Sequence, residues 1–248
     1  PMAEYCDGEL SKGKKNIFNK VPTLVEMQSE GGASGAMHGS LSTGALSTTF
    51  TSSQGLLLMI PNLYKIAGEH LPGVFHIAAR TVATHALSIF GDHSDVMAIR
   101  QTGAILLCSN SVQEAHDFAL IAHILALKTS LPVVHFFDGF RTSHEIQKID
   151  IIDDEKIKAL LPIKEIEAFK KSAMNSSSPY QKGSSQNPDV FFQNREASSP
   201  SYDKVTEILK GILKDFYKVV GRKYAPFEYV GSKNAENLIV SMGSSCEC

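Results

Sequence analysis

The chain has 248 residues, 43% hydrophobic and 20% charged, with a formal charge of −2. That supplies enough apolar material for a sizeable core in one large domain or two small ones, and it excludes disorder throughout. The near-neutral balance also excludes a protein that works mainly by gripping nucleic-acid phosphates. Cys6, Cys108, Cys246 and Cys248 form no C-x-x-C pair. A zinc or iron–sulfur site built from this chain alone is therefore not expected, nor is a disulfide scaffold, and reduced thiols are the simpler reading. Position 1 is Pro and no signal peptide is visible, which suggests a piece of a longer chain.

In chain order, Thr23–Met27 reads as a strand. Residues 31–68 carry one charged side chain, Lys65, but are too rich in Gly, Ser and Thr for a membrane span. Gly31, Gly35 and Gly39 recur every four residues and put a bare stripe on one helix face, so a helix buried on most sides is expected there. Gln54 to Glu69 reads as a second helix, broken or kinked at Pro61. Gly73–Ala79 and Gly103–Cys108 read as strands. Ser111 and Glu114 form a capping box, and the helix it opens runs to about Lys128 with Ala115, Phe118, Ala119, Ala122 and Leu125 on one face. Leu131–Phe137 is the next strand. Short apolar strands separated by helices predict an α/β domain, a parallel sheet flanked by helices.

Residues 172–201 are rich in Ser and Pro and by composition read as a surface excursion or linker. A helix from about Asp203 to Val220 follows, with Val205, Ile208, Leu209, Ile212, Leu213 and Phe216 as its apolar face. Leu238–Met242 reads as a last strand with no partner after it.

Two side chains stand out chemically. Glu30 precedes the nearly uncharged stretch, at the tip of the expected first strand. Dry surroundings would help it hold a proton. A Glu favoured at a helix N-terminus by the dipole is the equal alternative. Arg80 ends the strand Gly73–Ala79 among apolar or small neighbours. Its planar fork suits a small carboxylate, and a structural pairing with a nearby acid is the competing reading. Two familiar patterns fail. Glu30-Gly31-Gly32-Ala33-Ser34-Gly35 lacks the first glycine and the later ribose-binding acid of a dinucleotide fingerprint, and Ala36 stands where a nucleophile elbow needs Gly. His76, His85, His93, His116, His123, His135 and His144 show no H-E-x-x-H spacing, so packing and hydrogen bonding are expected of most of them and no metal site.

Glu26–Ala36, Thr49–Asn62, His85–His93, Phe136–Glu145 and Gln186–Asp189 resemble, in order, segments of the pyruvate:ferredoxin (flavodoxin) oxidoreductase family. The resemblance runs from residue 1 to about 230. It implies a thiamine diphosphate-binding fold, with residues 1–230 as the pyrimidine-binding domain and 231–248 as a linker and the first strand of a following domain. The implied activity is oxidative decarboxylation of pyruvate to acetyl-CoA and CO2, with electrons passed to ferredoxin or flavodoxin. By motif position, Glu30 matches the glutamate that contacts the aminopyrimidine of the cofactor, and Arg80 matches the arginine that binds the pyruvate carboxylate. Thr51, Ser52, Ser53 and Gln54 either line the same pocket or cap a helix, the latter being favoured.

The family's substrate-contacting Thr-Pro turn, its diphosphate and Mg2+ motif and its [4Fe–4S] cysteines are absent from this sequence, so the chain alone is expected to be inactive. The resemblance further implies a homodimer when whole, coenzyme A as a partner, no nucleic acid, no membrane, and a cytoplasmic or organellar home. It also implies that residues 172–201 are an ordered excursion. A related 2-oxo acid oxidoreductase, or a non-catalytic module of the same fold, is the alternative.

Overall fold

Val74–Ala79 (β2) and Val133–Asp138 (β4) are apolar runs too short for buried helices, and they pair in parallel as the middle of a sheet. Thr48–Thr51 (β1) adds to the free edge of β2 and Ile105–Cys108 (β3) to that of β4, both in parallel, giving the order β1-β2-β4-β3. This is the expected α/β architecture, seen in a computed structural model that describes residues 2–177, 179 and 181–247.

The pleat sends alternate side chains of β2 and β4 to opposite faces. Phe75, Ile77, Val134 and Phe136 meet Met37 and Leu41 of α2 (Glu30–Ser42), Leu56, Met59, Leu63 and Ile66 of α3 (Gln54–Gly68), and Val96 of α4 (Ser94–Ala98). Val74 and Val133 face Phe118, Ile121 and Leu125 of α5 (Val112–Thr129) and Ile212, Leu213 and Phe216 of α10 (Val205–Val220). Each fully buried Phe or Leu in these layers contributes about 1.5–3 kcal/mol. The remaining helices are α1 (Met2–Leu10), α6 (Asp154–Leu160), α7 (Ile163–Lys171), α8 (Pro188–Ala197) and α9 (Ser199–Asp203). No helix among the described residues is long and apolar enough to cross a membrane.

Several expectations need correction. Thr23–Met27 is not a strand: no strand of the sheet pairs with it, and Val25 stands 65% exposed. Leu238–Met242 is not a strand either, for the same lack of a partner edge, and Ile239 is 92% exposed. The helix at Gly31–Gly39 forms, capped by Ser29, but it is covered on one side only, since Gly32, Ala36 and Gly39 are exposed. Gly31 and Gly35 face Leu58 and Asn62 of α3, whereas Gly39 faces nothing. Helix α3 passes through Pro61 without a break. Ser111 caps α5 through Glu114 N at 3.3 Å, but Glu114 Oε2 returns to Asn110 N at 2.7 Å instead of Ser111, so the box closes one residue early. Among the described residues of the Ser-rich stretch, α8 and α9 are the regular elements and those between 172 and 187 are irregular and mostly exposed; Ser178 and Tyr180 lie outside the described residues.

Tight polar ties finish the α5 face. Asp117, fully buried, accepts a two-pronged bond from Arg222 (Nε 2.6 Å, Nη2 2.7 Å), one from Tyr224 Oη at 2.7 Å and one from Gln113 Nε2 at 3.2 Å. The planar guanidinium matches the carboxylate fork, and the other donors fill its remaining lone pairs. This clamps the segment after α10 onto α5.

Candidate functional site

Glu30 is the first residue of α2 and half-buried. It does not sit at a strand tip as expected, because the strand before it does not exist. Its place is set instead by α3. A Cβ built on Gly55 would stand 2.8 Å from Glu30 Cγ and Oε1 and 2.4 Å from Thr51 Oγ1. Only glycine lets the carboxylate lie against the first turn of α3, where the amide ends favour negative charge. The Glu30 carboxylate takes part in no ion pair among the described residues.

Arg80 follows the last residue of β2, as expected. Its backbone bridges Gly91 in antiparallel fashion, and its side chain is half-buried. Its Nε is buried without a hydrogen-bond partner, one of two such side-chain atoms among the described residues. The competing structural reading, a pairing with a nearby acid, is not realised. A buried guanidinium N–H left open costs free energy unless an acceptor arrives.

The turn between these two residues is held by Asp95, which sequence reasoning did not single out. Asp95 is fully buried in the first turn of α4. Its Oδ2 accepts from Ser53 N at 2.9 Å and from Arg80 N at 3.1 Å, and its Oδ1 from Val96 N at 2.7 Å. Burial pushes its carboxyl above the usual value, with the three amide bonds acting in the opposite sense. Ser53 does not cap α3 with its side chain, contrary to the favoured reading. Its hydroxyl donates to Thr81 O at 2.8 Å, and its backbone is strained at φ +50° and ψ −126°. Glu30 and Arg80 are not in direct hydrogen-bonded contact; they are joined through Gly55, Ser53 and Asp95.

Beside Arg80, at the carboxyl end of β4, Asp138 accepts from His93 Nε2 at 2.7 Å and from Ser244 N at 2.9 Å and Oγ at 2.5 Å. Burial works against its ionisation, yet the Ser244 and His93 bonds outweigh that and hold its carboxyl below the usual range. Gly243 N donates to Asn110 Oδ1 at 3.2 Å, so residues 243–247 lie across the ends of β3 and β4 as a single 3₁₀ turn.

The histidines scatter. His76 Nδ1 and His135 Nδ1 lie 3.0 Å apart, and His135 Nε2 is 2.8 Å from Ser109 Oγ, a buried chain under the sheet. Burial drives His135 down to about 3, the neighbouring His123 to about 4, and His76 well below its usual value. His116 Nε2 accepts from Ile152 N at 3.2 Å. No group of three or more His, Cys, Asp or Glu among the described residues is placed to hold a metal ion. Cys6, Cys108 and Cys246 are free thiols, and Cys248 lies outside the described residues.

Surface grooves lie elsewhere, one along Phe191, Phe192 and Arg195 of α8 and one between Leu160–Ile163 and Ile212. Neither is lined by Glu30 or Arg80.

The chain has clear relatives. Residues 1–214 match the family described as pyruvate flavodoxin/ferredoxin oxidoreductase, thiamine diphosphate-binding. The pyruvate:ferredoxin oxidoreductase of Moorella thermoacetica is 58% identical over 247 residues, which is 100% of this chain and 21% of that one. A probable pyruvate-flavodoxin oxidoreductase of Escherichia coli is 57% identical over 244 residues, 98% of this chain and 21% of that one. A solved 2-oxoglutarate:ferredoxin oxidoreductase from Magnetococcus marinus, with 2-oxoglutarate, coenzyme A and succinyl-CoA bound, has a TM-score of 0.59 at 17% identity, over 83% of this chain and 39% of that one. That likeness bears on the fold. The chain spans about a fifth of the length of these two curated relatives.

Proposed function

The chain belongs to the pyruvate flavodoxin/ferredoxin oxidoreductase family, thiamine diphosphate-binding, and we propose that it is the pyrimidine-binding part of an enzyme that oxidatively decarboxylates pyruvate to acetyl-CoA and CO2. The observation that carries this is the buried, unpartnered Nε of Arg80, tied through Asp95 to the turn on which Glu30 rests.

When bound, thiamine diphosphate supplies an acidic ring carbon and an electron sink for the decarboxylation. The residues present fit that group. Glu30 offers a carboxyl oxygen to a ring nitrogen of the aminopyrimidine and can hold a proton there, with Gly55 leaving the space beside it. Arg80 offers its open Nε–H and the rest of its fork to the substrate carboxylate. That fixes the 2-oxo carbon in place before bond making. Residues 1–230 would form this domain and 231–248 would lead into the next. Mg2+, the [4Fe–4S] clusters, the coenzyme A site and the docking site for ferredoxin or flavodoxin would come from the rest of the protein. The whole protein would be a homodimer in the cytoplasm or an organelle.

The test uses the full-length enzyme. Glu30→Gln should lower turnover at least about tenfold and raise the thiamine diphosphate concentration needed for activity. Unchanged turnover would sink the role of Glu30. Arg80→Ala should raise the pyruvate KM; a loss confined to kcat would contradict carboxylate binding.

A further inference from the structure

We infer that Asp95 is a positioning residue that locks the Glu30 side of the site to the Arg80 side; this rests on the function proposed above.

A carboxylate with no exposed surface needs strong partners. Asp95 has no cation: it joins no ion pair among the described residues. Its partners are backbone amides, and two of the three come from far along the chain. Ser53 N is 42 positions away and Arg80 N is 15. A single oxygen, Oδ2, receives both. The competing reading is a local cap for α4. A cap would use the first-turn amides of its own helix, and only Val96 N, on Oδ1, is of that kind.

The two distant amides are the ones that matter for the site. Ser53 heads α3, and Gly55 two residues on is the glycine against which Glu30 rests. Arg80 directly follows the last residue of β2. Ser53 sits at φ +50°, a region that L residues rarely adopt. Asp95 compensates that strain through the Ser53 amide, and the Ser53 hydroxyl makes a second tie to Thr81 O. Two short links therefore hold the start of α3 to the end of β2. Loosening them moves Glu30 and Arg80 relative to each other.

Asp95→Asn in the full-length enzyme is the test. It keeps the size but has one acceptor oxygen. Either Val96 N or the Ser53 and Arg80 amides must then face an NH2 group. The pyruvate KM and the thiamine diphosphate concentration for half-activation should rise together, by roughly tenfold to a hundredfold, with a smaller change in kcat. Hydrogen exchange should speed up together at the Ser53 and Arg80 amides. A variant with parental exchange at both amides and parental values for both constants overturns the proposal. If Asp95→Asn fails to fold, Ser53→Ala breaks the second tie alone. It should raise both constants severalfold, and no change in either refutes the coupling. Glu30→Gln and Arg80→Ala run in parallel. If those two are silent, the site reading fails, while the exchange data still decide whether Asp95 ties the segments.

Discussion

Two buried carboxylates mark two differently built regions. On the α5 face, Asp117 is saturated by Arg222, Tyr224 and Gln113. At the carboxyl ends of the strands, Asp95 spends its oxygens on backbone amides, and Arg80 beside it keeps a buried N–H open. Ser53, in the same place, holds a strained backbone. The first region is satisfied within the chain; in the second, the buried Arg80 Nε has no hydrogen-bond partner within it. Unfilled hydrogen-bonding capacity and stored strain gather where a protein works, and closed networks gather where it only has to stand.

The sharpest way to break this contrast is to open the closed network. Arg222→Ala leaves fully buried Asp117 without its two-pronged cation and should cost about 3 kcal/mol, measured by denaturant unfolding, with pyruvate KM untouched. A changed KM would mean that the two regions are not separate. Next comes Gly55→Ala. Its methyl lands on Thr51 and Glu30, so it should cost about 1–3 kcal/mol and remove more activity than stability, read from turnover per folded molecule. Acid comes third. His135 binds a proton near 3 when folded, against 6.5 when unfolded. Between those values the unfolded chain binds more protons, so stability falls as pH drops from 6.5 towards 3, by up to about 1.4 kcal/mol per unit for this one site. His135→Gln should flatten that slope in unfolding curves between pH 6.5 and 4; an equally steep slope would remove His135 as the cause. The smallest effect belongs to Arg80→Met, which keeps the apolar stem and deletes the open N–H. It should change stability by less than about 1 kcal/mol while weakening pyruvate binding. A large unfolding penalty would place Arg80 with the structural residues.

The sequence was most readable where side chains pack densely. The apolar runs of β2, β3 and β4 and the apolar faces of α5 and α10 announce themselves, because burial selects Val, Ile, Leu and Phe at a fixed period. Thr48–Thr51 went unread, since Thr-Thr-Phe-Thr is short and half-exposed at a sheet edge. Thr23–Met27 and Leu238–Met242 have strand composition without a strand, because a strand is made by its neighbour and neither segment has one. Glu30 and Arg80 are singled out by the motifs around them, and their proposed roles rest on that reading. Asp95 is not singled out, because what it does depends on amides 42 and 15 positions away, and an amide is the same in every residue but proline.

The strand order carries a consequence in time. β2 lies between β1 and β4, and the central pair joins residues 59 positions apart, as His76 and His135 show. No hairpin can nucleate such a sheet, so its folding is set by distant pairing, on the millisecond-to-second scale. On a ribosome adding about 5–20 residues per second, β2 waits roughly 3–12 s for β4 to be made. During that wait Phe75 and Ile77 have α2, α3 and α4 to cover them, so those helices serve as the nascent chain's guard before they ever serve the site.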